Sequence, residues 1–330
     1  MMKFNQHNIL SLVDNYTYEE VALAVFRYQF LQCKVYHEFC CHLGKSPDNV
    51  KKLMDIPFLP IEFFKSHQIL SSQHLVQKVF TSSGTTAQQT SKHHITDLEL
   101  YQKNTIQIFE NQYGSVKEFA ILALLPSYLE RDGSSLVYMV DHFIKTSKQP
   151  ESGFFLNNHN ELYNKLQALE QKGQNTLLIG VSFGLLDFVE KFKMNLEHTI
   201  VMETGGMKGR RKEMIREELH QKLSEGFGVK HIHSEYGMTE LLSQAYSKSH
   251  GIYDLPQTMK VCIRDPEDPL TLYSDFEKIG GINVIDLANI HSCAFIATQD
   301  LGQNVKKNQV KIMGRFDNSD IRGCNLLTLN

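Results

Sequence analysis

The chain has 330 residues, 42% hydrophobic and 22% charged, which is the composition of an ordinary globular protein with a sizeable core. Its 34 Lys and Arg against 37 Asp and Glu leave a net charge of −3. No basic excess exists to displace counterions, so a nucleic-acid partner is excluded. The start, "MMKFNQHNILSLVDN", carries no apolar signal core, and the longest apolar run, around residues 119–126, is too short to span a bilayer. A cytoplasmic protein without a membrane span is expected.

Residues 1–75 read as a helical region packed on the core. "YEEVALAVFRYQFLQCKVYHEFC" has apolar residues at three- and four-residue spacing and predicts one long amphipathic helix. "IPFLPIEFFKSH" interrupts with two prolines and predicts an irregular segment against the core. The cysteines Cys33, Cys40, Cys41, Cys262, Cys293 and Cys324 form no CxxC pair, and reduced thiols are expected. Cys40 and Cys41 fall in the apolar helical pattern, as core or helix-surface residues.

Residues 76–250 change texture. "LVQKVF" predicts a strand, and the loop "TSSGTT" at residues 81–86 follows it. A Ser, Thr and Gly turn after a strand offers converging N–H and O–H donors to phosphate oxygens, although it lacks the GK[ST] ending of a nucleotide P-loop. The competing reading is a polar surface loop. "FAILALLPS", "NTLLIGVS" and "HTIVMETGG" are short apolar runs that predict buried strands, the last two followed by the helical patterns "FGLLDFVEKF" and "KGRRKEMIREELHQKLSEGF". Strand, loop and helix in series predict a mainly parallel sheet flanked by helices, with ligands at the carboxyl ends of its strands. The loops "PSYLERDGSS", "VSFG", "ETGGMKG" and "HSEYGMTE" should therefore carry the chemistry.

In "ETGGMKG", Gly205 and Gly206 permit close approach by a flat ligand, and Lys208, Arg210 and Arg211 add positive charge. A glycine turn serving chain geometry alone is the alternative. In "HSEYGMTE", Tyr236 can stack on a base, Gly237 follows it, Thr239 can bind phosphate and Glu240 can hold Mg²⁺ through oxygen. The alternative is a helix start capped by Thr and Glu. His93, His94, His231 and His233 form no recognised metal spacing. His231 and His233 would share one face of a strand, but two ligands are too few for zinc, and all four read as structural or pocket histidines.

Residues 251–330 are short runs with turns between them and predict a β-rich subdomain. Asp300 in "TQDLG" can accept hydrogen bonds from a ribose diol, and Arg315 in "GRFDNSDIRG" can reach the same ribose or a phosphate. Turn residues of a β subdomain are the alternative.

In this order and at these separations, "TSSGTT", "ETGG", "EYGMTE", "TQD" and "GRFD" resemble the phosphate loop, adenine-pocket loop, signature motif, ribose-binding aspartate and hinge of the adenylate-forming superfamily of acyl- and aryl-CoA ligases. Within it, "FLPIEFFKSH", "LLPSYLERDGSSLVYMV" and "GRFDNSDIRGCNL" look like the acyl-protein synthetases of bacterial luminescence, the long-chain-fatty-acid–protein ligases. The resemblance implies an α/β fold, the large N-terminal domain of that superfamily with mainly parallel sheets and a β-rich subdomain, without the usual small C-terminal domain. It implies ATP and Mg²⁺ as cofactors and a fatty or other carboxylic acid as substrate. An acyl-CoA reductase or acyl carrier is the implied protein partner.

Residue by residue, the resemblance implies that Ser82, Ser83, Gly84, Thr85 and Thr86 hold the β,γ-phosphates. Gly205, Gly206 and Tyr236 would form the adenine site. Thr239 would contact the α-phosphate, Glu240 the metal, and Asp300 with Arg315 the ribose. Cys324 stands where the family carries its acyl-accepting thiol. The acyl pocket would be lined by "GVSFGLL" and "LPSYL". The chain departs from the superfamily at Ala87, where a glycine is usual, and its first lysine after the loop is Lys92. Lys208, Arg210 and Arg131 are candidates for the cation that a small domain would otherwise supply. Two other readings remain at this point: an acyl- or aryl-CoA ligase, and a non-catalytic subunit that binds a reductase.

Overall fold

The structure is a computed structural model that describes residues 9–71, 73–82, 90–126, 133–205 and 214–316. The N-terminal region folds as α1 (Ile9–Asn15), α2 (Tyr18–Gln32) and α3 (Lys34–His42). The single long helix expected here is therefore two. The break is at Cys33, whose extended backbone (φ −96°, ψ 101°) ends α2 and begins α3. Buried Cys33, Tyr36 and Cys40 then turn into the same core as Val21, Val25 and Phe26. Spacing alone does not register such a bend, because both halves keep the same period. At its start α2 is stopped by a capping box, in which Thr17 accepts from the Glu20 N–H and Glu20 accepts from the Thr17 N–H. Of the paired cysteines, Cys40 is buried and Cys41 exposed.

The proline-interrupted segment contributes β1 (Leu59–Pro60) and α4 (Phe63–Ser66). A two-stranded antiparallel ribbon follows, β2 (Lys78–Thr81) and β3 (Lys92–Ile95), and leads into α5 (Leu98–Tyr113). Next come β4 (Ala120–Leu124), α6 (Ser135–Ser147), β5 (Gly153–Phe154), α7 (His159–Gln171), β6 (Thr176–Gly180), α8 (Ser182–Lys191), β7 (Thr199–Glu203), α9 (Arg216–Phe227) and β8 (His233–Tyr236). The rest is strand: β9 (Ala245–Ser247), β10 (Ile252–Asp254), β11 (Met259–Arg264), β12 (Gly280–Asp286), β13 (Phe295–Lys306) and β14 (Gln309–Arg315).

One large sheet runs in the order β11-β12-β13-β14-β10-β9-β8-β7-β6-β4-β5, with β1 paired to β13. From β5 to β8 the neighbours are parallel, and from β8 onward they are antiparallel. Every residue of β4 and β6 is buried, as strands covered on both faces require. One face packs on α5 and α6 through Phe109, Met139 and Phe143. The other packs on α7, α8 and α9 through Leu166, Phe188 and Leu223. A third core joins α2 and α3 to β11, β12 and β13 through Phe26, Tyr36, Val284 and Phe295. Among the described residues no helix is long and apolar enough to cross a membrane.

Candidate active site

The parallel strands end at Leu124, Gly180, Glu203 and Tyr236, so the loops singled out by sequence open at one edge of the sheet. The candidate phosphate loop is the connection between β2 and β3. Its two ends are stitched together: the Ser82 N–H donates to the Ser91 carbonyl at 3.1 Å, and the Ser91 N–H donates to the Ser82 hydroxyl at 2.9 Å. The Thr81 N–H donates to the Gly133 carbonyl at 2.7 Å, which ties this loop to the one after β4. Ser83, Gly84, Thr85 and Thr86 lie outside the described residues, as do Gly206, Lys208, Arg210, Arg131 and Cys324.

At the end of β7 the buried Glu203 organises the adenine-loop candidate. Its carboxylate accepts the Gly205 N–H at 2.7 Å and the Ser182 hydroxyl at 3.3 Å, and His220 Nε2 lies 3.5 Å from it. Burial alone would raise its pKa. The neighbouring His220 and Ser234 and the Gly205 N–H overcome that and hold it below the ordinary glutamate value. Gly205 has φ +73°, a conformation that favours glycine. The sequence reading found Gly205 and missed Glu203, whose partners are Ser182 and His220 on other elements.

On the neighbouring strand, Tyr236 ends β8 and its hydroxyl donates to Asp300 Oδ2 at 2.7 Å. Its ring meets Tyr253 edge-on, with centroids 5.9 Å apart. Asp300 and Arg315 are cross-strand partners on β13 and β14, and Arg315 Nε lies 3.6 Å from Asp300 Oδ1. Burial raises the Asp300 pKa, and Tyr236, Arg315 and Arg264 offset it in part. Gly237 follows the strand, where a Cβ would run into the Glu235 carboxylate.

The next residues form a turn, so the expected alternative of a capped helix at Thr239 and Glu240 is not what forms. Glu240 is buried, and burial raises its pKa. The neighbouring Ser91 hydroxyl and the charges of Arg315 and Lys65 lower its pKa in part. Ser91 stands at the end of the candidate phosphate loop, so Glu240 neighbours that end. Arg315 acts on both Asp300 and Glu240 and links the ribose candidates to the metal candidate. Lys65, on α4, is a cation the sequence reading did not single out.

Among the described residues no group of three or more His, Cys, Asp or Glu is placed to hold a metal. A single buried carboxylate beside a phosphate loop nonetheless suits Mg²⁺, which takes one or two protein carboxylates and completes its shell with phosphates and water. His93 is buried against Phe64 and the Thr239 carbonyl. His231 lies before β8 rather than on it, so it does not pair with His233 on one strand face; His233 faces Tyr113.

Residues 14–107 match the family described as "Acyl-protein synthetase, LuxE". No curated protein matches the chain by sequence. Solved structures of similar fold include a 2-hydroxyisobutyryl-CoA ligase in complex with 2-HIB-AMP and CoA, in two states. Its open conformation superposes with a TM-score of 0.66 at 13% identity over 91% of this chain and 74% of that one. Its thioesterification state gives 0.68 at 13% identity over 96% and 70%. ATP-bound MatB from Rhodopseudomonas palustris gives 0.55 at 16% identity over 84% of this chain and 56% of that one. The likeness to acyl-protein synthetases is confined to residues 14–107, and the solved CoA ligases share the fold of the chain.

Proposed function

We propose that this chain, matched over residues 14–107 to the acyl-protein synthetases and folded as an adenylate-forming ligase, activates a fatty or other carboxylic acid with ATP and passes the acyl group to a protein cysteine. The observation that carries the reading is the position of Arg315, 3.6 Å from Asp300 and within electrostatic reach of Glu240, with Ser91 at the end of the candidate phosphate loop beside Glu240. The nearness of Asp300, Arg315, Glu240 and Ser91, which come from four separate stretches of sequence, supports a shared nucleotide site.

In the first step a substrate carboxylate oxygen attacks the α-phosphorus of ATP. The bond to the bridging oxygen breaks, and pyrophosphate leaves. Ser82, Ser83, Gly84, Thr85 and Thr86 would hold the β,γ-phosphates. Tyr236 with Gly205 and Gly206 would frame the adenine, Asp300 and Arg315 the ribose, and Thr239 the α-phosphate. Glu240 would hold Mg²⁺, which when bound neutralises phosphate charge. Such a reaction depends on positioning and charge stabilisation by groups already in place. In the second step the Cys324 thiolate attacks the acyl carbonyl, a thioester forms, and AMP leaves with the bonding electrons. An acyl-CoA reductase or acyl carrier in the cytoplasm would consume the thioester. A second reading, transfer to coenzyme A, is favoured by the ligases of similar fold whose complexes contain CoA.

Carboxylate-dependent ATP–pyrophosphate exchange across short, long-chain and aromatic acids tests the first step. Exchange with one class is expected, and none with any acid would sink the reading. Cys324→Ala separates the acceptors: adenylation persists and acyl labelling of the protein is lost if Cys324 accepts, whereas unchanged thioester output to CoA supports the second reading.

A further inference from the structure

Thr239 and Glu240 sit in a turn, where neither a helix nor a strand ladder fixes the backbone. Buried backbone carbonyls still need donors. Both are supplied by side chains from distant elements. His93 Nδ1, on β3, lies 2.8 Å from the Thr239 carbonyl oxygen. Asn289 Nδ2, between β12 and β13, donates to the Glu240 carbonyl at 2.7 Å. Both residues are almost wholly buried, at 1% and 0% exposure.

The orientation of each side chain is settled by its partners. A nitrogen facing a carbonyl must carry the proton, so His93 is protonated at Nδ1. Burial keeps the ring neutral, with its pKa pushed down to about 4. The second N–H of the Asn289 amide donates to the Cys293 carbonyl at 2.9 Å, so the amide cannot flip without losing two bonds. The loop carrying Asn289 is itself held from the N-terminal region. Gln29 of α2, fully buried, donates to the carbonyls of Asn289 at 2.9 Å and Ile290 at 3.0 Å, and accepts the Ala294 N–H at 2.9 Å. Ser71 adds a bond to the Ile290 carbonyl at 2.7 Å.

We propose that His93 and Asn289 are positioning residues that clamp the backbone of Thr239 and Glu240, with Gln29 bracing the clamp from α2. The inference rests on the ATP-dependent activation proposed above. It assigns the N-terminal helices a part in catalysis: they fix the loop that fixes the motif. A misplacement of about 1 Å in such a motif costs on the order of a hundredfold in rate.

The test compares two amides at one buried position. In His93→Asn the amide nitrogen falls where Nδ1 stood and still reaches the Thr239 carbonyl. In His93→Gln it falls nearer Nε2 and does not. Both carry similar polarity into the same site, so a merely structural role predicts similar losses. Exchange by the unaltered protein comes first, and its absence with every acid refutes the activation reading rather than the clamp. With exchange present, His93→Gln is expected to lower kcat about tenfold or more with KM for ATP within about threefold, and His93→Asn to recover most of that loss. Equal kcat in the two variants, whether both stay active or both lose activity together with the fold, overturns the clamp.

Discussion

Arg315 shows how little of a side chain needs to be buried for it to matter. Its side chain is 64% exposed, so its ion pair with Asp300 contributes less than about 1 kcal/mol to stability. Its charge nevertheless acts on two buried carboxyls, Asp300 and Glu240, that burial pushes toward the neutral form. Replacing it should therefore separate stability from activity. Arg315→Ala is expected to shift the melting temperature by no more than a few degrees and to lower kcat of pyrophosphate exchange about ten- to a hundredfold. Parallel thermal melts and exchange kinetics check this. A matched loss of both would mean that the arginine only holds the two strands together. The residue type was legible in "GRFD", and the register that sets it opposite Asp300 was not.

The contact between α8 and α9 depends on one missing methyl group. A Cβ on Gly226 would come within 2.5 Å of Val189 Cβ, so the helices meet where a glycine lets them. Gly226→Ala gains about 1 kcal/mol of helix propensity. It also overpacks a closed core, which costs about 1–3 kcal/mol. The net expectation is destabilisation by up to about 2 kcal/mol in denaturant melts, with a less than additive loss when Val189→Gly, which removes the clashing Cβ itself, is added. Additive effects of the two changes would rule the close contact out. These helices were legible as periodic patterns, and the strands between them as apolar runs, because those signals are local. The bend at Cys33 was not: it is set by what Cys33, Tyr36 and Cys40 bury against, and that includes residues more than two hundred positions away in sequence.

For the whole molecule, the half-buried carboxyl of Glu235 sets a pH dependence. Burial raises its pKa to about 8, with the charge of Glu203 adding to it. An acid raised in the folded state contributes stability that is fully present below the unfolded value near 4.5 and is lost as pH rises through 8. Because the side chain is partly exposed, the loss is on the order of 3 kcal/mol. Melting temperature should fall as pH rises from about 5 to 9. Glu235→Gln should flatten that limb and melt higher than the unaltered protein at pH 9. A parallel decline in both proteins would show that Glu235 does not carry the effect.

The sequence by itself determined the kinds of loop this protein presents and the order in which strands and helices deliver them. Those follow from local period, from glycine at turns and from the side chains each motif carries, all within a few residues of chain. Only the tertiary structure decided what holds the motifs in place. It set Ser182 and His220 on Glu203, His93 and Asn289 on the turn at Thr239 and Glu240, and Gln29 behind them. The physical reason is that a buried polar group takes whichever partner the packing brings to it. That partner is chosen by topology, not by distance along the chain, and the sheet that joins β8 to β13 through β14, β10 and β9 brings together residues that no short stretch of sequence contains.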